Sequence, residues 1–376
     1  MKSKDIFTVN RRVMVFIILG LCLVDILFCI IVSNKFNHPE CQRLPSYDYS
    51  TLKLWINQIE KSNGYKIVVL GDSVVHGDAV KYTCNTLPAY ISKELNELLP
   101  DKNIRVFNIG IAGAAPAEVY FILNALESIH VDLFIYDINL GWFSRTKPLE
   151  HLSLLEFNNN LSSEQLHLLG LDPLVSTISP IEKWLSRNIL NHWKVYDQRI
   201  LLNYWLFGKP LREKLQDAKR DPSLLLPFSE NKLPEILEMR APWKEKKWEG
   251  KLDPTKGRVG SFYLNNSNKQ WLFYKMLLDY IKDKEIQAVF FITPRNHELL
   301  ECYDMIDKPN YINNLSMIIN EAKNKTIPVL NYDSAIPFDY FSDTVHLLPE
   351  GNKILASSIS HDSCVIGLLE MLISGI

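Results

Sequence analysis

Three residues, one early in the chain and two close together near its end, have the types and spacing that covalent catalysis requires. Ser73 sits in "GDSVVHG" (71–77), directly after the β-branched run "YKIVVL", and Asp343 and His346 sit in "DTVH" (343–346). A serine hydroxyl is a poor nucleophile until a base takes its proton, and histidine is suited to that near neutral pH. The histidine needs a carboxylate to fix its tautomer and stabilise the imidazolium. Asp343 and His346 are three residues apart, so a helical turn would point both to one face. The attacked carbonyl becomes an oxyanion, and losing one pre-placed donor to it typically costs roughly 10²–10³ in rate. The expected donors are the backbone N–H groups of Ser73 and Gly113 and the side-chain amide of Asn139. Gly113 would let the backbone approach closely, with no Cβ in the way.

Such residues need a scaffold that gathers them. Short apolar runs alternate with helical patterns: "YKIVVL", "IRVFNI", "VDLFIYDI", "IQAVFFI" and "IPVL" read as strands, with helices such as "LPAYISKELNELL" and "AEVYFILNALESI" between them. This alternation predicts an α/β fold with a five-stranded parallel sheet covered on both faces. Ligands of such sheets bind beyond the carboxyl ends of the strands. The first strand delivers Gly71, Asp72, Ser73 and Gly77 there, and the second delivers Gly110 and Gly113 in "NIGIAGAAPAE". The third ends in "YDINLGWF" with Asn139, and the fourth in "TPRNHE" with Arg295, Asn296 and His297 as candidate substrate contacts. Asp343 and His346 follow the fifth.

Each residue also has an ordinary reading. Gly-Asp-Ser is common in loops, and a lone histidine is usually a surface residue. Asp72 reads as a helix cap rather than a catalytic acid. Three residues after the serine, a helical position would aim His76 away from it. It is the convergence of a buried strand, the glycines and a distant Asp-x-x-His that favours chemistry. A phosphate-binding reading of the same loop is disfavoured, because Asp72 would repel an anion.

The N-terminus sets the compartment. "MKSKDIFTVNRR" is basic, and Val13 to Val32 is almost wholly apolar, about the length that crosses a bilayer core of roughly 30 Å. No small-x-small cleavage site follows closely, so the expectation is an uncleaved anchor, with a cleaved signal as the alternative. The boundaries expected are a cytoplasmic tail at 1–12, an anchor at 13–32, a stalk and leading helix at 33–60, and a catalytic domain at 61–376. The basic flank stays inside, which places the domain outside the cell membrane. Asp25 interrupts the apolar run and either faces a partner or is incidental.

A net charge of −2 argues against nucleic acid. The six cysteines contain no Cys-x-x-Cys, and no metal or other cofactor is expected. Cys41, Cys84, Cys302 and Cys364 would face an oxidising space, as disulfides or as buried thiols. A long excursion, 143–268, follows the third strand, mostly helical at first and then basic and Pro-rich. Seven of the eight tryptophans fall between Trp142 and Trp271. They suit a helical subdomain or an aromatic lid over the site. The C-terminal "CVIGLLEMLISGI" is too short to span a membrane and reads as a docking helix.

"GDSVVHG", "GIAGAAP", the Asn after the third strand and "DTVH" together resemble the four signature blocks of the SGNH (GDSL-type) hydrolase superfamily. The resemblance implies a flavodoxin-like three-layer sandwich and ester or acyl-transfer chemistry. It implies Ser73 as nucleophile, His346 as base, Asp343 as its orienting acid, and Ser73, Gly113 and Asn139 as the oxyanion hole. The third block departs from the usual Gly-x-Asn-Asp, since "DINLG" has no Asp after the Asn. The strands and blocks cover about 60–150 and 280–360, leaving the excursion unexplained. With the anchor, the chain resembles the membrane-anchored branch that transfers D-alanine to teichoic acid or O-acetylates alginate and peptidoglycan. That implies a serine esterase or O-acyltransferase acting outside the membrane on a cell-surface glycan or polymer, with a multi-spanning membrane acyltransferase as possible partner. The alternative is a non-catalytic SGNH-like assembly or glycan-binding factor.

Overall fold

The computed structural model describes residues 11–35, 42–157, 161–171, 185, 193–207 and 239–374. Five strands, β1 (Tyr65–Gly71), β2 (Ile104–Gly110), β3 (Leu133–Ile138), β4 (Ala288–Ile292) and β5 (Val329–Asn331), form one sheet in the order β2-β1-β3-β4-β5. Every pairing is parallel, as the alternation of runs predicts. β3 and β4 are buried at every position, which is why they read as unbroken apolar and aromatic runs rather than as alternation.

Helices cover both faces. Val68, Leu70, Phe107, Phe134 and Phe290 point to the layer containing the helices Pro116–Leu126 and Lys269–Asp283. Ile67, Val69, Val106, Ile135 and Phe291 point to the layer containing Leu87–Leu98, Pro349–Ser360 and Ser363–Ser374. The last of these is the C-terminal helix, docked through Val365 and Leu369. The strand order reverses at β1, which lies between β2 and β3. A crevice therefore opens where the carboxyl ends of β1 and β3 diverge. Ser73 follows β1 and Asn139 follows β3.

The leading helix is Tyr49–Lys61. It buries Leu52, Trp55, Ile56 and Ile59 at helical spacing, and Asp48 caps it by accepting from the Thr51 N–H at 3.1 Å. Ahead of it lies the helix Arg11–Lys35, whose window Arg12–Val32 has a mean hydropathy of 3.2 and is long and apolar enough to cross a membrane. Most of its side chains are exposed, but Phe28 and Val32 are buried in the core cluster of the domain. Asp25 has a partner, for its Oδ1 accepts from the Val195 N–H at 2.8 Å.

Of the excursion, residues 158–160, 172–184, 186–192 and 208–238 lie outside the described residues, and with them much of the segment that could form a lid. The described parts contain the short helices Ser163–Leu169, Lys194–Asp197 and Arg199–Phe207. The basic, Pro-rich part carries 3₁₀ turns at Trp243–Glu245 and Pro254–Lys256. Cys22, Cys29, Cys84, Cys302 and Cys364 are free thiols, and Cys41 lies outside the described residues.

Candidate active site

β1 ends at Gly71 and the chain turns at once into a one-turn helix, Ser73–His76. Glycines make that turn possible. A Cβ on Gly71 would stand 2.5 Å from Val75 Cγ2, and one on Gly110 of the neighbouring strand would stand 2.6 Å from the His76 Cα. Gly77 closes the turn at φ +84°, a left-handed conformation that glycine adopts without penalty. Asp72 caps it, its Oδ1 accepting from the Val74 N–H at 2.8 Å. Ser73 is thereby fixed at the mouth of the sheet with its side chain almost wholly enclosed.

His346 arrives from the other end of the chain. Its Nε2 lies 2.8 Å from Ser73 Oγ, and its Nδ1 lies 2.7 Å from Asp343 Oδ2. The Asp-x-x-His spacing is realised in a tight turn rather than a helix. Phe341 pairs antiparallel with Leu347, and the Ser342 N–H donates to the His346 carbonyl at 2.8 Å. Inside this turn Asp343 Oδ1 accepts from the N–H groups of Val345 (2.9 Å) and His346 (2.8 Å). One oxygen of the carboxylate is held by backbone and the other faces the imidazole.

The electrostatics follow from that geometry. Burial alone would push the His346 pKa down. The hydrogen bond and charge of Asp343, then the charges of Asp72 and Asp78, outweigh it and hold the imidazole at about 9. For Asp343, burial acts upward but is overcome by His346 and the two backbone N–H groups, so its carboxyl stays below the usual range.

Neither the Ser73 nor the Gly113 backbone N–H donates to another group among the described residues. Both remain available to an oxyanion. Gly113 adopts φ +77° in the loop after β2, and the Ile111 N–H donates to the Gly71 carbonyl at 3.0 Å, which sets that loop beside the nucleophile turn. Arg145 holds the loop by donating to the Gly113 carbonyl. The same guanidinium pairs with Glu118 at 3.3 Å and lies over the Trp142 ring at 4.6 Å. Glu118 is fully buried, and accepts also from the N–H groups of Ala115 (2.9 Å) and Glu150 (2.5 Å). These donors satisfy the hydrogen-bonding needs of a carboxyl group buried on an otherwise apolar helix.

Asn139 reaches the same rim through Asp72. Its Nδ2 donates to Asp72 Oδ2 at 2.6 Å, and its Oδ1 accepts from the Gly141 N–H at 3.0 Å and from the Arg295 guanidinium. Nδ2 carries a second hydrogen, which no described protein group accepts. The Trp142 indole N–H also donates to Asp72 Oδ2. Beneath them lies Asp137, buried and hydrogen-bonded by the Thr293 hydroxyl. Burial, then the Asp72 charge, pushes the Asp137 carboxyl well above the usual range.

Two of the three residues after β4 turn inward. Arg295 is buried behind Asn139, with its backbone N–H on the Asp333 carbonyl at 2.9 Å. Asn296 is fully buried. Its Oδ1 accepts from the Leu299 N–H at 3.0 Å, its backbone N–H donates to the Thr344 carbonyl at 3.1 Å, and its Nδ2 reaches the Asp343 carbonyl at 3.3 Å. His297 pairs with Asp333 at 2.8 Å. Arg295 and Asn296 thus underpin Asn139 and the histidine turn from the protein interior. His76 bonds Asp78 at 2.5 Å rather than Ser73.

Sequence reasoning did not find Trp142, Arg145, Glu118 or Trp243. A lone Glu in the apolar run "AEVYFIL" was a usable signal for a buried ion pair. Trp243 had none, because its partners are set by tertiary contact. Its N–H donates to the Phe341 carbonyl at 3.0 Å and its indole N–H to the Phe338 carbonyl at 2.9 Å. Lys246 Nζ adds a bond to Ser342 Oγ at 2.7 Å. The end of the excursion thereby braces the segment that leads into Asp343 and His346.

No family model matches the chain, and no curated protein matches it.

Proposed function

We propose that the protein is a membrane-anchored serine esterase or O-acyltransferase working through an acyl-enzyme. One observation carries this reading: Ser73 Oγ, His346 and Asp343 are hydrogen-bonded in series, at 2.8 and 2.7 Å, across 273 residues of chain. His346 takes the Ser73 proton as the oxygen attacks an ester carbonyl. The backbone N–H groups of Ser73 and Gly113 receive the developing negative charge. His346 then protonates the leaving oxygen, and a sugar or polyol hydroxyl, or water, releases the acyl group from Ser73.

The strand order β2-β1-β3-β4-β5 is the flavodoxin-like order, with the nucleophile at its switch point. It supports the SGNH-type reading of the fold. The apolar helix Arg12–Val32 supports a single-pass anchor, with the basic N-terminal flank inside and the site facing the cell surface. A surface glycan or polymer is the substrate class that such a placement would serve.

The test is labelling of the full chain with a fluorophosphonate. Wild type labels, and Ser73→Ala does not. Folded wild type that resists the probe would sink the enzyme reading and favour a non-catalytic assembly factor. The bond from Asn139 to Asp72, which turns one amide hydrogen away from an oxyanion, is the observation on that rival's side.

A further inference from the structure

A cleft of about 210 Å³ lies between the apolar N-terminal helix and the domain. Phe28 and Val32 form its apolar wall. Lys53 and Lys61, on the exposed face of the Tyr49–Lys61 helix, form the opposite one, and Lys194 and Asp197 line it as well. The lysines outnumber the carboxylate. Asp197 pairs with Lys194 at 3.6 Å, and Lys53 and Lys61 have no carboxylate partner among the described residues.

Depth decides what such a cleft is for. A bilayer core of about 30 Å takes roughly 20 helical residues, which the window Arg12–Val32 supplies. Val32 then stands near the outer edge of the hydrocarbon, and Phe28 about 6 Å below it. The cleft straddles that edge, with an apolar wall at the level of acyl chains. Lysine stems lie along apolar surface while their ammonium groups reach the phosphate level.

We propose that this cleft binds an anionic phospholipid, its headgroup phosphate on Lys53 and Lys61 and one acyl chain along Phe28 and Val32. The bound lipid fixes how the domain sits on the membrane. The proposal rests on the membrane-anchor part of the proposed function and not on its chemistry.

The experiment is native mass spectrometry of the full chain released from nanodiscs of phosphatidylglycerol mixed with phosphatidylcholine. One phosphatidylglycerol should be retained per chain, about tenfold in preference to phosphatidylcholine, since each lysine near an anionic headgroup favours it. Lys53→Gln combined with Lys61→Gln should abolish that preference while Ser73 still labels with fluorophosphonate at the wild-type rate. Equal retention of the two lipids, or an undiminished preference in the variant, would overturn the proposal. So would displacement of the lipid by soluble glycerol phosphate, which would mark a phosphate-ester site instead. An alkaline wash separates the premises. A chain that washes off membranes refutes the anchor, whereas a chain that stays but shows no lipid preference refutes the cleft alone.

Discussion

Gly110 of β2 lies directly beneath the backbone of His76, so close that a Cβ added there would overlap it, 2.6 Å from the His76 Cα. Two strands that are neighbours in the sheet thus set the height of the nucleophile turn. Gly110→Ala should lift or break that turn. We expect Ser73 labelling to fall by about 100-fold, and a stability loss of roughly 1–3 kcal/mol, as for an overpacked core position. Denaturant melts and labelling rates, measured together, check this. Wild-type labelling in a folded variant would contradict it.

The imidazole pKa of about 9 makes a pH statement. His346 must be neutral to accept the Ser73 proton, so acylation should rise with pH through an apparent pKa near 9. Stability runs the opposite way. The folded pKa lies above the ordinary 6.5, so the contribution of the pair is complete below about pH 6.5 and lost as pH rises through about 9. Asp343, held low, contributes above the usual carboxylate pKa of 3.8 and loses that contribution as pH falls below it. Asp343→Asn should move the rise in acylation to lower pH and cut the rate by about 10⁴. A pH–rate profile on an activated ester reads both effects.

Asp72 and Asp137 are neighbours with opposite expected behaviour. Asp72 accepts from Val74, Asn139 and Trp142, and its charge helps to hold the His346 pKa up. Asp72→Asn should shift the acid limb to lower pH and slow acylation about 10–100-fold, the scale of one or two hydrogen bonds to a charged group. Burial and the Asp72 charge push the Asp137 carboxyl well above the usual range, so Asp137→Asn should leave the limb in place and change stability by less than about 1 kcal/mol. A shifted limb in Asp137→Asn would show that its carboxylate is charged.

Trp243 ties the excursion to the catalytic turn. Trp243→Phe keeps the ring but removes the indole donor to the Phe338 carbonyl. The expected cost is about 1–2 kcal/mol of stability, together with slower Ser73 labelling. Trp243→Ala adds a cavity, for about 3–5 kcal/mol in all. Thermal melts with labelling on the same samples test the brace. Full-rate labelling in both variants would show that the turn stands without it.

The residues that were legible in the sequence are those whose geometry is written locally. Unbroken runs such as "LFIYDI" announce strands buried on both faces. Gly71, Gly77 and Gly110 announce a tight turn, because close approach or positive φ leaves room for nothing larger. Asp343 and His346 announce each other by spacing, although the backbone between them forms a tight turn where a helix was expected. What stayed hidden depends on tertiary register. Arg145 meets Glu118 across 27 residues, Trp243 meets Phe338 across 95, and Asp25 meets Val195 across 170. The inward turn of Arg295 and Asn296 was hidden for a related reason: a strand exit predicts polar residues but not whether they face the solvent or the protein interior.

The hydrogen bond from the Val195 N–H to Asp25 changes how the protein should be produced. Trimming the first 35 residues, the usual way to make a single-pass protein soluble, would strip an acceptor from Val195 and uncover the surface that Phe28 and Val32 now shield. A shortened version is therefore a wounded domain, and poor yield or lost activity in it would report the cut rather than the enzyme.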